Sequence, residues 1–199
     1  PDFFGGCWST APDPVDFRSF QYMNLYRPGE NFYLDPAGKV RPLGRINGKV
    51  VMTFKPFTMM ETVMGHGGQL ASFEACFSDK DDNGNPKRVW DRKTGKINHE
   101  VAKSWEKYDI RLILERNWKT LGPKLKGKVH VYMGEQDSFL LDGATKLLKE
   151  SQAKLKSDAK VELFAGQDHS SLLRDRKLNL LGRVEREMAA KLRDAKLAE

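Results

Sequence analysis

The stretch Lys128-Val129-His130-Val131-Tyr132-Met133-Gly134-Glu135-Gln136-Asp137 opens a segment that closes on Val161-Glu162-Leu163-Phe164-Ala165-Gly166-Gln167-Asp168-His169. Both apolar runs are short and stop at a glycine, the pattern of strands buried inside a sheet. Between them Leu140, Leu141, Ala144, Leu147, Leu148, Ser151 and Leu155 recur at helical spacing, which predicts a crossover helix. A last helix is predicted from about Leu178, with Leu181, Val184, Met188 and Leu192 on its buried side. Strand, helix, strand and closing helix make a right-handed parallel unit, so the core is read as α/β. Ligands of open parallel sheets bind outside the carboxyl ends of the strands. Asp137 and His169 each stand just past a predicted strand end, and they are therefore expected to project into one place.

The 199 residues and 39% hydrophobic content suit one sizeable core, and no apolar run is long enough for a membrane span. The net charge of +7 invites a nucleic-acid reading. Basic residues alternate with acidic ones, however, as in Arg183-Val184-Glu185-Arg186-Glu187, which is the look of a solvated helix face. A basic block interleaved with aromatics is missing, so nucleic acid is not an expected partner. Cys7 and Cys76 fit neither a zinc pattern nor a disulfide framework, and both are expected to be small buried hydrophobes. The opening at Pro1 reads like the interior of a fold, so the chain is taken as a piece whose targeting signal, secretory or periplasmic included, would lie upstream.

Outward from the deciding stretch, Phe3 to Thr10 reads as a short buried strand, stopped by Pro12 and Pro14. Phe17 to Phe57 is irregular and turn-rich, with residues 31–34 a candidate short strand or hairpin, and it resembles an insertion over a site more than core. Met59, Met60, Val63 and Met64 predict a helix after Pro56, broken at Gly65-His66-Gly67-Gly68. A second helix is predicted over Gln69–Phe77, burying Leu70, Phe73, Cys76 and Phe77. Asn98 reads as a cap for a helix with Val101, Trp105, Tyr108, Leu112 and Ile113 on one face, and Thr120-Leu121-Gly122-Pro123 ends that region. The organisation expected is a core strand and loop over 1–16, an insertion or cap-like region over 17–124, and a C-terminal α/β core over 125–199, all within one incomplete domain.

A carboxylate and an imidazole at consecutive strand ends suit nucleophilic catalysis, in which a buried acid orients the histidine that takes the nucleophile's proton. The bland alternative is a helix-capping Asp137 and a His169 in an ordinary loop. Glu135 is the second candidate for the acid, Asp142 lies inside the helix pattern, and Asp168 is too close in sequence to face His169 easily. No Gly-x-Ser-x-Gly elbow occurs; Cys7, Ser9 and Ser138 stand outside such a turn, and the economical account puts the elbow before Pro1. The glycine-rich string at 65–68 suits an oxyanion donor less well than a helix break, with His66 a candidate pocket residue. His130, alternating with valines on a strand, is expected to be packed. Asp79-Lys80-Asp81-Asp82-Asn83-Gly84 matches half of a calcium loop, but the closing position is Trp90, so a polar turn is expected.

These residues resemble a family. Segments 1–17, 67–75 (Gly-Gly-Gln-Leu-Ala-Ser-Phe-Glu-Ala), 108–112 (Tyr-Asp-Ile-Arg-Leu) and Gly127 through Leu173 are similar to the C-terminal part of bacterial esterases of the α/β-hydrolase superfamily. The resemblance implies strands six to eight of that fold with their crossover helices, Asp137 as triad acid and His169 as triad base, with the serine upstream. It implies hydrolysis of a carboxylic ester, of a small molecule or linked to carbohydrate, with no metal or organic cofactor. The chain alone is then expected to be inactive and to need an N-terminal segment or self-association. The rival expectation is a non-catalytic binding module or inactive remnant of the same fold.

Overall fold

The computed structural model describes residues 3–65 and 67–196, so the pocket role considered for His66 lies outside the described residues. Strand β1 (Cys7–Thr10) enters the molecule first. The hairpin β2 (Pro42–Ile46) and β3 (Lys49–Thr53) follows, and helices α1 (Phe54–Met64), α2 (Gln69–Phe77), α3 (His99–Ser104) and α4 (Ile110–Leu125) come next. Strand β4 (Val129–Gly134), helix α5 (Asp142–Lys154), strand β5 (Lys160–Phe164), the single turn α6 (Ser171–Arg174) and helix α7 (Leu180–Lys196) complete the chain. The result is a mixed α/β architecture.

The deciding stretch folds as strand, helix and strand. Strands β1, β4 and β5 form a parallel sheet in the order β1-β4-β5, with Ser9 opposite Val131 and Val131 opposite Val161. Val131, Ala144, Leu148 and Val161 are buried between the sheet and α5, which accounts for the apolar stripe in that helix. On the other side Tyr132 packs with Leu172 and Leu180 beneath α6 and α7. The loops after Gly134 and Phe164 therefore leave the same edge of the sheet, as parallel strands require.

Residues between the first two sheet strands build a core of their own. Phe17, Phe20, Met23, Leu25 and Phe32 are buried against Phe54, Trp90 and Trp105, with Phe32 and Trp90 stacked at 4.1 Å. The segment read as cover thus carries an aromatic core. Asn47-Gly48, at φ 49° and 74°, makes the tight turn of β2 and β3; two left-handed residues suit the twist of a hairpin. The segment 31–34 is not a strand or hairpin and makes only isolated bridges, Asn31 to Lys96 and Leu34 to Val40.

Several expected faces are corrected. Only Cys7–Thr10 of the opening segment is a strand, and Phe3 and Phe4 are exposed. Both cysteines are exposed as well, because Cys7 begins an outer strand and Cys76 lies on the outer side of α2. Helix α1 begins at Phe54 and takes Pro56 into its first turn, where a missing N–H costs nothing. It buries Phe54, Thr58 and Glu61 and leaves Met59, Met60, Val63 and Met64 outside. Glu61 turns inward because its carboxylate accepts from Leu70 N at 3.0 and 3.2 Å, capping α2.

The long helix expected after Asn98 is broken. Asn98 does cap α3, accepting from Glu100 N and Val101 N, but a 3₁₀ turn over Trp105–Lys107 follows and Asp109 starts α4 anew. The fully buried Asp109 accepts from Leu112 N, Phe17 N and the Tyr26 hydroxyl, and those bonds hold the break. Helix α4 passes the stop expected at 120–123 and ends at Leu125, with an irregular backbone at Asn117. Helix α7 buries Leu180 and partly buries Val184, while Leu181, Met188 and Leu192 are exposed, contrary to the predicted stripe. Glu187 replaces them on the inner side: burial pushes its carboxyl up, but the Tyr132 hydroxyl and Trp8 Nε1, which donate to it, together with Arg183 outweigh that and hold it down at about 2. No helix among the described residues is long and apolar enough to cross a membrane.

Candidate active site

Asp137 lies in the loop after β4 and is 0% exposed. Its Oδ1 accepts from Phe139 N at 2.9 Å and Leu141 N at 3.2 Å, while Oδ2 lies 2.7 Å from Nδ1 of His169, in the loop after β5. A carboxylate bound on one side by backbone amides cannot swing away from the imidazole. The other side then fixes the histidine: Nδ1 donates to Asp137, and Nε2 is left as the proton acceptor.

The two loops also bind each other through the backbone. Glu135 N donates to Phe164 O and Gln136 N to Gln167 O. Gly134 makes the approach possible, since a Cβ there would sit 2.4 Å from Gln167 O and 2.8 Å from its carbonyl carbon. Asp168 acts locally, because its Oδ1 accepts from Ser170 N and Ser171 N and shapes the turn that carries His169 into α6. Phe139 stands edge-on to the imidazole at 4.9 Å.

The imidazole bonds Asp137 rather than Glu135 or Asp142. Glu135 is exposed. Asp142 is fully buried in a structural network, accepting from the Tyr22 hydroxyl at 2.8 Å, Arg45 at 2.9 Å and Lys146 at 2.8 Å. The Tyr22 hydroxyl is pushed up to about 12, by enclosure first and by Asp142 second. Arg45 reaches further, donating to the carbonyls of Asp137 and Glu135, and so ties β2 to the acid's loop. His130 is packed, stacked on Trp8 at 4.7 Å, and burial lowers its basicity.

His169 lines a cavity of about 330 Å³. Leu43, Met52, Phe57, Leu70, Phe73 and Phe139 give it mostly apolar walls, and Asp13, Gln21 and Gln69 add polar atoms. None of the described residues lining it is Ser, Thr or Cys. Cys7 and Ser9 lie along β1, and the Ser138 carbonyl accepts from Arg45 N; none of the three lines the cavity. His169 is held above the ordinary histidine value, first by its bond to Asp137 and then by the charges of Asp137, Asp13 and Asp168, with burial opposing. Partial enclosure raises the Asp13 carboxyl, and the His169 imidazole opposes that rise.

Asp13 and Gln21 were missed in the sequence. Asp13 sits between two prolines and reads only as part of a breaker; Gln21 has a left-handed backbone, φ 48°, in an irregular segment with no periodicity. A larger cavity, about 1110 Å³, opens between α1, α2 and the loop around Asp81, and neither Asp137 nor His169 lines it. In that loop Asp81 accepts from Asn83 N and Asn85 N, and Asp79 pairs with Lys107. This is the expected polar turn, and among the described residues no three His, Cys, Asp or Glu side chains group to hold a metal. Comparison with protein-family models, curated proteins and solved structures finds no match.

Proposed function

We propose that the chain carries the acid and base of a serine esterase of the α/β-hydrolase type, β1, β4 and β5 being the sixth to eighth strands. The observation that carries the reading is the 2.7 Å contact between the buried Asp137 carboxylate and Nδ1 of His169 beside an apolar cavity. A serine supplied from upstream of Pro1 attacks the ester carbonyl, and its proton passes to Nε2 of His169. Collapse of the tetrahedral intermediate breaks the bond to the alcohol oxygen, which takes that proton. Water then repeats the cycle on the acyl-enzyme, releasing the acid and the free serine. Asp137 holds the imidazole in one tautomer and faces the positive charge that forms. The chemistry as written uses no metal or organic cofactor.

One observation favours a second reading, a binding module on the same scaffold: no hydroxyl or thiol side chain among the described residues lines the cavity. The experiment separating the two measures hydrolysis of short-chain ester substrates by a protein carrying this chain together with the segment that precedes it. His169→Ala and Asp137→Asn are expected to lower kcat/KM by about 10³- to 10⁴-fold. Folded variants that turn over at the parent rate, or a parent without turnover, would leave the binding module as the better account.

A further inference from the structure

Asp13 is the third ionisable side chain that the parallel sheet brings to one edge. It follows the end of β1 as Asp137 follows β4 and His169 follows β5, and with His169 it lines the cavity. Its bonding sets it apart from the other aspartates nearby. Asp137, Asp142 and Asp168 are each held by hydrogen bonds, whereas the Asp13 carboxylate accepts none from the described residues and forms no ion pair with them. Prolines on both sides remove the nearest main-chain donors. No Lys or Arg among the described residues lines the cavity, and the His169 imidazole is engaged by Asp137. The residue is exposed, yet partial enclosure raises its carboxyl, so water serves it less well than on an open surface.

We propose that Asp13 binds an ammonium group on the ligand that fills this cavity, so that the substrate is an ester whose apolar half carries a protonated primary amine. This deepens the esterase reading and rests on it for the word substrate; the recognition itself does not require catalysis. Leu43, Phe57, Phe73 and Phe139 take the apolar body of such a ligand. Rings beside a carboxylate favour a cation twice over, because their π faces also attract positive charge. A volume of about 330 Å³ stands at the small end of ligand sites and suits a compact ammonium on a single ring. A ligand carrying a carboxylate or phosphate in that place meets like charge and is rejected.

The test is equilibrium binding of benzylammonium and benzyl alcohol by calorimetry, at low salt and at a pH where the imidazole is neutral, to the protein used for turnover. The two probes share a shape and both donate to a carboxylate, so they differ chiefly in charge. Benzylammonium is expected to bind about tenfold more tightly, the size of one charge-assisted hydrogen bond. Asp13→Asn, which keeps the shape and removes the charge, is expected to erase that ratio, and Asp13→Glu to retain a preference for the cation. Equal affinities in the unsubstituted protein, absence of benzylammonium binding, or a ratio that survives in folded Asp13→Asn would overturn the inference. Ester turnover is read separately through His169→Ala. A probe ratio without turnover defeats the esterase reading alone, and turnover without a ratio defeats the Asp13 inference alone.

Discussion

His169 has three carboxylates acting on it, and their combined effect is a pH dependence with a definite sign. The bond to Asp137 stabilises the imidazolium, so the folded-state value lies above the ordinary one near 6.5. That stabilisation of the fold is fully present below the unfolded value and is lost as pH rises through the folded one. On the proposed esterase reading catalysis would run the other way, because a general base must be neutral. Turnover is therefore expected to rise with pH through the elevated value. Asp137→Asn removes the leading cause, so the imidazole should titrate at lower pH and the acidic limb of the residual activity should move down with it. Titration of the His169 ring protons by NMR checks this, and an unchanged midpoint in the variant would show that Asp137 does not hold the imidazole. Asp137 and His169 were legible because residues just past parallel strand ends must converge. Gln21 and Asp13 were not, since nothing local marks an irregular chain that returns to a site formed by distant residues.

At the scale of elements, periodicity located the pieces and missed which side of some faces inward. The strands β4 and β5 and helix α5 were readable because apolar side chains cover both sides of the sheet. In α1 the same signal misled: the methionine face is outside, and the inner face is taken by Glu61, whose reason is the cap on α2, a contact no local pattern contains. The break before α4 has a similar origin: Asp109 caps α4 locally through Leu112 N, but its other oxygen is held by Phe17 and Tyr26, far away in sequence. Gly134 shows the reverse case, a residue legible as a strand stop whose second role emerges only in three dimensions. Its missing Cβ lets the His169 loop lie against the end of β4, where the obstructing atoms are backbone and cannot rotate away. Gly134→Ala is expected to cost about 2 kcal/mol in urea unfolding, within the range of overpacked cores. It should also lower the His169 midpoint toward that of Asp137→Asn by moving the loop. A variant with unaltered stability and titration would mean that the loops adjust freely.

Across the whole molecule, an aromatic core built by residues 17–105 is joined to the parallel sheet by buried polar straps. Asp16 accepts from Arg18 and pairs with Arg111 at 3.2 Å, Asp109 collects Phe17 and Tyr26, and Asp142 collects Tyr22 and Arg45. The Asp142 strap is the one that reaches the site, because Arg45 also donates to the Asp137 carbonyl at 3.0 Å. Asp142→Asn leaves one oxygen to serve Tyr22, Arg45 and Lys146 and turns an NH₂ toward donors. Breaking one side of a buried ion pair in this way typically costs about 3 kcal/mol. Its distribution is the informative part: amides within residues 20–46 are expected to exchange faster with deuterated solvent, while those of β4 and β5 keep the parent's rates. On the proposed esterase reading, ester turnover of the parent should fall as well, since the loop carrying Asp137 loses its clamp. Uniformly faster exchange would instead mean that the aromatic core and the sheet unfold as one unit, with Asp142 stabilising both alike.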